Sequence, residues 1–140
     1  MTTTCLHATT IRLGHHGVMI RGASGSGKSS LAAHILRHNA SALVSDDYTS
    51  VTAVNGRLIG KAPDTINGLI EIRGKGIERF PAEPAVCIHL VVDLLPRADV
   101  DRMPEPEALE CTILDVAVKR QPVPCFDENA EDLIRFALRG

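Results

Sequence analysis

The octapeptide Gly22-Ala23-Ser24-Gly25-Ser26-Gly27-Lys28-Ser29 has the pattern G-x-x-x-x-G-K-S, in which residue type and spacing together prescribe a chemistry. Glycines let a backbone turn so that successive N–H groups aim at one point ahead of a helix N-terminus, where an anion meets the helix dipole. The lysine then reaches the β- and γ-phosphates of a nucleotide, and the hydroxyl after it ligates Mg²⁺. The flanks suit this use. Val18-Met19-Ile20 reads as a short buried strand, and Ser30 to Leu36 carries apolar residues at helical spacing. A Gly/Ser-rich turn before an ordinary helix accounts for the octapeptide but not for both flanks. The expectation is a nucleotide-binding loop.

Two further groups could act beside it. Asp46 and Asp47 follow a short apolar run directly after the loop-bearing helix. At that edge of a sheet a carboxylate can hold Mg²⁺ or take a proton. Adjacent strand residues point to opposite faces, so at most one of the two faces the nucleotide, and a solvated turn pair is the alternative. Glu71 and Arg73, two apart on an extended stretch, share a face. They suit a metal–phosphate site, or equally a surface ion pair. Gly74 and Gly76 then allow close backbone approach or positive φ.

Gly22–Ser29, Asp46-Asp47 and Leu69-Ile70-Glu71-Ile72-Arg73-Gly74-Lys75-Gly76-Ile77 together resemble the catalytic domain of the HPr kinase/phosphorylase family, whose signature is an E-[IV]-R-G-x-G-I stretch. The resemblance runs from about His7 to Val123. It implies a P-loop-containing kinase domain of the phosphoenolpyruvate-carboxykinase-like kind, using ATP and Mg²⁺. The implied substrate is a serine of the phosphocarrier protein HPr, with inorganic phosphate and pyrophosphate as partners if the reverse reaction exists. Homo-oligomers, specifically hexamers, are implied as well. His7 matches the family's active-site histidine, and Gly22 to Ser29 its nucleotide loop. Asp47 matches the acid/base that accepts the serine proton in phosphorylation and returns one in dephosphorylation. The implied metal set is Ser29, Asp46 and Glu71, and residues 70–79 match a segment needed by both reactions. Val100-Asp101-Arg102-Met103 resembles an F-D-R-L loop, which makes Arg102 the charge-stabilising arginine.

The chain departs from the family pattern in two places. The segment from Lys28 to Asp47 is about one residue longer. The late motif ending in Gly-Arg-Asn is replaced by Pro124-Cys125-Phe126-Asp127-Glu128-Asn129, which lacks the glycine and the arginine, so dephosphorylation by phosphate is expected to be weak. The family's common N-terminal domain has no counterpart, as in its short versions. A small-molecule kinase would share the loop without needing the Glu71–Ile77 signature. A nucleotide-binding regulatory module without catalysis would not need Lys28, Asp47 and Glu71 intact.

Composition narrows the class. A chain of 140 residues fits one domain, residues 1–140, and 44% hydrophobic residues with only 3% aromatics means an aliphatic core. A net charge of -2 and the lack of a basic run argue against a nucleic-acid partner. Cys5, Cys87, Cys111 and Cys125 are scattered and form no CxxC pair, which reads as free thiols in a reducing compartment. The N-terminus leads into no apolar segment, and the longest apolar run, Ala85 to Val92, contains His89 and is too short to span a bilayer. A soluble, cytoplasmic protein is expected.

The positioning elements follow from the pattern. Residues 7–13 are expected to pair with Val18–Arg21 through the turn at Gly14–Gly17, and the helix from Lys28 to stop near His38-Asn39. Asn55-Gly56 between Val51–Val54 and Leu58–Ile59 is a type I′ hairpin signal. Ala62-Pro63-Asp64 reads as a loop, Val86–Leu95 as a central strand, and Arg97–Pro106 as a mobile polar segment. Thr112–Val118 reads as a strand that Pro122-Val123-Pro124 interrupts. Asn129 can cap a closing helix with Leu133, Ile134, Ala137 and Leu138 on one face. Strands outnumber helices, so the expected fold class is α/β with a mixed, largely antiparallel sheet.

Overall fold

The computed structural model describes residues 2–63 and 68–139. Strands β1 (Thr2–Leu13) and β2 (His16–Gly22) form the expected hairpin, in register from Leu13↔His16 to Ala8↔Arg21. Helix α1 (Lys28–His38) follows and buries Ala32, Ala33, Ile35 and Leu36. It ends at Asn39, whose backbone is extended and whose Nδ2 donates to the Ile35 carbonyl at 2.7 Å, satisfying one of the orphan groups of the last turn. The chain then passes through β3 (Ser41–Ser45), β4 (Tyr48–Val54) and β5 (Arg57–Lys61). At the β4–β5 turn, Asn55 and Gly56 have φ 50 and 75, as a type I′ turn requires.

Strand β8 (Ala85–Leu95) joins the two halves of the sheet. Its first residues pair antiparallel with β5, and from Ile88 to Leu94 it runs parallel to β2. From Leu90 to Leu95 it also runs parallel to β10 (Val116–Pro124). Strand β1 is divided in the same way, with Thr2–His7 against β4 and its C-terminal half against β2 and β3. The β4–β5 hairpin thus bridges β1 to β8 and closes a ring, β1-β4-β5-β8-β2. Every ring strand adds to one core cluster, which includes Ala8, Met19, Val51, Leu58 and Val91. The other cluster lies against α1 and the closing helix α2 (Ala130–Arg139) and contains Ile11, Val18, Ile20, Ile35, Leu90 and Val92. On α2, Ile134 and Ala137 are buried in it and Leu133 and Leu138 pack against it, the face expected from their spacing.

Three expectations change. Thr112–Val118 is not one strand: β9 (Glu110–Ile113) turns at Leu114-Asp115, both at positive φ, into β10. Pro122 and Pro124 do not interrupt β10 but lie within it. Cys125 N donates to Leu95 O at 2.8 Å, so odd-numbered N–H groups face β8 and the prolines sit where no ladder donor is needed, beyond the end of β9. The stretch after Ile70 is a hairpin of its own, β6 (Leu69–Ile72) and β7 (Gly76–Arg79), which packs Ile70 and Ile72 into the helix-side core. The segment expected to be mobile carries a short 3₁₀ turn at Arg97–Asp99. Of the expected loop at 62–64, Asp64 lies outside the described residues, as do Ile66 and Asn67.

On the sheet face away from α1, a buried ion triad joins the ends of β2, β8 and β10. Arg21 is bidentate to Asp93, with Nε to Oδ1 at 2.7 Å and Nη2 to Oδ2 at 2.8 Å. Arg120 Nε donates to Asp93 Oδ2 at 2.5 Å and its Nη1 to the Ala108 carbonyl at 2.8 Å. Burial by itself would raise the Asp93 carboxyl, yet hydrogen bonds and charge from Arg21 and Arg120 hold it below the usual carboxylate range. This stabilisation is present above the unfolded carboxyl pKa of about 3.9 and fades as pH falls through the lower folded value. Asp93→Asn leaves two half-buried guanidiniums without their anion and is expected to cost about 1–3 kcal/mol at pH 7 by urea unfolding. The gap from the parent protein should narrow below about pH 4. A gap that stays constant in acid would contradict the triad's role.

Candidate active site

The octapeptide leaves the C-terminal end of β2 and enters α1. Ser26 N donates to Ala23 O at 3.0 Å, and Gly27, at φ 96, opens the helix as its N-terminal cap. That backbone conformation is one side chains rarely adopt, and it turns the loop back over its own start. Lys28 is buried, and its Nζ donates to the carbonyls of Gly22 at 2.8 Å and Ala23 at 3.1 Å. Ser26 Oγ is buried without a hydrogen-bond partner.

A cleft of about 450 Å³ opens on the loop, lined on that side by Ser24, Gly25, Gly27, Lys28, Ser29 and Ser30. Its other walls come from distant parts of the chain: His7 on β1, Asp47 after β3, Glu71 and Arg73 at the β6–β7 hairpin, and Phe126 after β10. The fold therefore brings His7, Lys28, Ser29, Asp47 and Glu71 together. Gly22, Ala23 and Ser26 belong to the same loop but not to the cleft lining. Arg102 lies exposed on the segment after β8 and does not line the cleft. Arg73 does, with Nη1 3.8 Å from where a Gly25 side chain would begin. The hairpin that carries it is tied to α1 by Arg37, whose Nη2 donates to Glu78 at 2.6 Å.

The aspartate pair lies just past the end of β3, so a bend and not strand alternation divides it. Asp46 Oδ1 accepts from Ser29 Oγ at 2.8 Å and from Thr9 Oγ1 at 2.9 Å, joining the loop helix to β1. Asp47 has φ 65, a left-handed conformation that aspartate tolerates better than most residues, and it faces the cleft. Burial raises its carboxyl above the ordinary value, and the charge of Asp46 adds to this; His7 pulls the other way, Glu71 raises it further, and Lys28 lowers it. The His7 ring lies against Tyr48, with centroids 5.1 Å apart.

Among the described residues no group of three or more His, Cys, Asp or Glu stands ready to hold a metal by itself. Mg²⁺ needs no such cage beside a phosphate loop, because it keeps several waters and takes one or two protein oxygens plus phosphate. The hydroxyl and carboxylate oxygens of Ser29 and Asp46, in contact at the loop, are the hard donors that suit it.

Sequence reasoning left three cleft residues out of the site, Ser30, Arg73 and Phe126. Arg73 had its signal in the shared face with Glu71. Phe126 had only its place in an altered, otherwise polar stretch.

A family profile described as HPr Serine kinase C-terminal domain matches residues 1–138. The HPr kinase/phosphorylase of Clostridium novyi is 33% identical over 132 residues, covering 86% of this chain and 42% of the relative. That of Geobacillus thermodenitrificans is 34% identical over 133 residues, 87% of this chain and 42% of the relative. The chain thus spans about two-fifths of the length of these curated relatives. A solved structure of the Hpr(Ser) kinase/phosphatase from Coxiella burnetii superposes with a TM-score of 0.82 at 28% identity, covering 97% of this chain and 94% of that one. The mixed α/β architecture is accordingly that of a P-loop kinase. With the profile spanning almost all of it, the chain belongs to the HPr serine kinase C-terminal domain family.

Proposed function

We propose that the chain, as one domain over residues 1–140, is an ATP-dependent serine kinase whose substrate is the phosphocarrier protein HPr. The observation that carries this reading is the convergence of Asp47, Glu71, Arg73 and His7 on the phosphate loop within one cleft. The names of the relatives support the choice of HPr as substrate. Assembly into homo-oligomers, hexamers by family resemblance, belongs to the same proposal, as does a cytoplasmic setting. No described helix is long and apolar enough to cross a membrane.

The parts divide the work as follows. Lys28 leaves the Gly22 and Ala23 carbonyls and takes up the β- and γ-phosphates, with the loop N–H groups around them. Ser29, Asp46 and Glu71 hold Mg²⁺, which when bound offsets phosphate charge. Asp47, which faces the cleft, accepts the proton of the substrate serine as the bond to phosphorus forms. Arg73 stands in the cleft where charge builds on the transferring group, the part first given to Arg102. His7 lines the cleft together with Asp47.

The reverse reaction, attack of inorganic phosphate on phosphoserine, brings one anion to another and needs extra positive charge. Two other arginines that could supply this charge stand apart from the cleft. Arg120 is committed to Asp93 and the Ala108 carbonyl, and Arg102 lies outside the lining. In the altered segment itself the cleft meets a phenyl ring, while Asp127 pairs with Arg97 at 3.3 Å.

Transfer from labelled ATP to purified HPr tests the whole reading, and the absence of transfer would sink it. Asp47→Asn should bind MgATP nearly as the parent does and lose at least about 100-fold in turnover. Lys28→Ala should lose both transfer and most MgATP affinity by calorimetry. Glu71→Gln should raise the Mg²⁺ concentration at half-maximal rate several-fold, since a charged ligand becomes neutral; an unchanged Mg²⁺ dependence would return Glu71 to a surface role. Phosphorylated HPr with millimolar phosphate should release pyrophosphate far more slowly than the forward reaction consumes ATP. Comparable rates would show that the missing arginine is dispensable.

A further inference from the structure

Phe126 is the cleft residue that kinase chemistry leaves without a task. Its side chain is 77% exposed, although large apolar residues are ordinarily buried. Its backbone has φ 58, a left-handed conformation costly for a bulky residue and most often kept where function needs it. Its neighbours hold it there. Cys125 N is bonded to Leu95 O, Asp127 Oδ1 accepts from Asn129 N at 2.7 Å, and Asp127 pairs with Arg97.

The ring stands against the last glycine of the phosphate loop. A side chain at Gly27 would begin 2.9 Å from Cε1 of Phe126 and 3.3 Å from its Cδ1. Loop N–H groups cradle the α- and β-phosphates, and the nucleoside hangs from that cradle. A nucleobase is a flat apolar surface that stacks on aromatic rings whatever its edge carries. Among the described lining residues Phe126 is the one large apolar side chain, and His7 already lies against Tyr48. No asparagine or glutamine is among them to read a base edge. Asp47 and Glu71 belong with the metal and the transferred phosphate.

We propose that Phe126 is the platform on which the nucleobase stacks, so that the site binds nucleoside triphosphates with little choice between adenine and guanine. The inference rests on the kinase reading of the same cleft.

Calorimetry with MgATP, MgGTP and magnesium tripolyphosphate tests it on the parent and on Phe126→Ala, Phe126→Gly and Phe126→Tyr. The parent should bind both nucleotides with similar affinity. Phe126→Ala should weaken both about tenfold and leave tripolyphosphate unchanged, since a stacked base is lost and the cradle is not. Phe126→Gly removes the ring and relieves the positive φ; it should behave like Phe126→Ala, and Phe126→Tyr like the parent. If tripolyphosphate weakens in parallel with ATP, the ring only braces Gly27 and the proposal is overturned. It is equally overturned if ATP binding survives loss of the ring, or if the parent strongly prefers one base. A parent that binds neither ATP nor tripolyphosphate would overturn the phosphate-loop reading itself, and the platform with it.

Discussion

Parallel pairing of β2 with β8 holds the backbone from Gly17 to Gly22 against Ile88 to Leu94, and at its start the two strands are too close for a side chain. A Cβ at Gly17 would stand 2.2 Å from the Cys87 carbonyl oxygen. One at Gly22 would stand 2.4 Å from Ser26 Oγ and 3.2 Å from Leu94. Strand β2 is thus pinned along its length, antiparallel to β1 on one side and parallel to β8 on the other. Its C-terminal end then has one exit, the loop into α1. A crevice at the carboxyl ends of parallel strands is where open α/β sheets bind ligands. The ring made by β4 and β5 supports the same strand from below, because it fixes both β1 and β8.

The charge plan depends on that placement. Asp93 and its two arginines lie on the face of β8 away from α1, where one carboxylate takes hydrogen bonds from both guanidiniums, and none of the three lines the cleft. On the cleft side, Asp46 spends one oxygen on Ser29 and Thr9, which locks the start of α1 to β1. Asp47, one residue on, escapes this lock only because its φ of 65 turns it outward. The hydrogen bond from Tyr48 N to Asp46 O at 2.7 Å closes the turn that does so. Adjacent aspartates are therefore placed differently: one is bound between Ser29 and Thr9, the other faces the cleft with a carboxyl whose affinity for a proton is raised.

Local signals were legible where local chemistry decides the structure. The octapeptide, the hairpin at Gly14, the Asn55-Gly56 turn, the end of α1 and the apolar face of α2 all rest on short-range steric or capping rules. The misread segment at 110–124 shows the limit. Prolines argue against a strand interior, but β9 stops at Glu110↔Lys119 and leaves the far side of β10 open, which no local pattern reveals. The site divides the same way. Asp47 is placed by motif, and Glu71 by motif and alternation. The exclusion of Arg102 and the arrival of Arg73 and Phe126 depend on how hairpins and loops far apart in sequence settle over one glycine-rich turn.

Lys28 shows how the loop satisfies its own buried charge. A buried ammonium needs partners, and here the loop supplies two of its own carbonyls, from Gly22 and Ala23. Those acceptors are neutral, whereas a phosphate oxygen is charged, so a bond to phosphate adds charge–charge attraction to one that the ammonium already strengthens. Transfer of Lys28 from the loop to a phosphate is thus an exchange of partners, not the rescue of a stranded charge. The loop can keep its fold while empty, yet still bind more tightly once a phosphate arrives. Ser26 Oγ, buried behind it without a partner, is the group this self-satisfaction leaves out. Its position against Gly22 ties it to the same carbonyl turn that Lys28 would vacate, so the two are expected to move together.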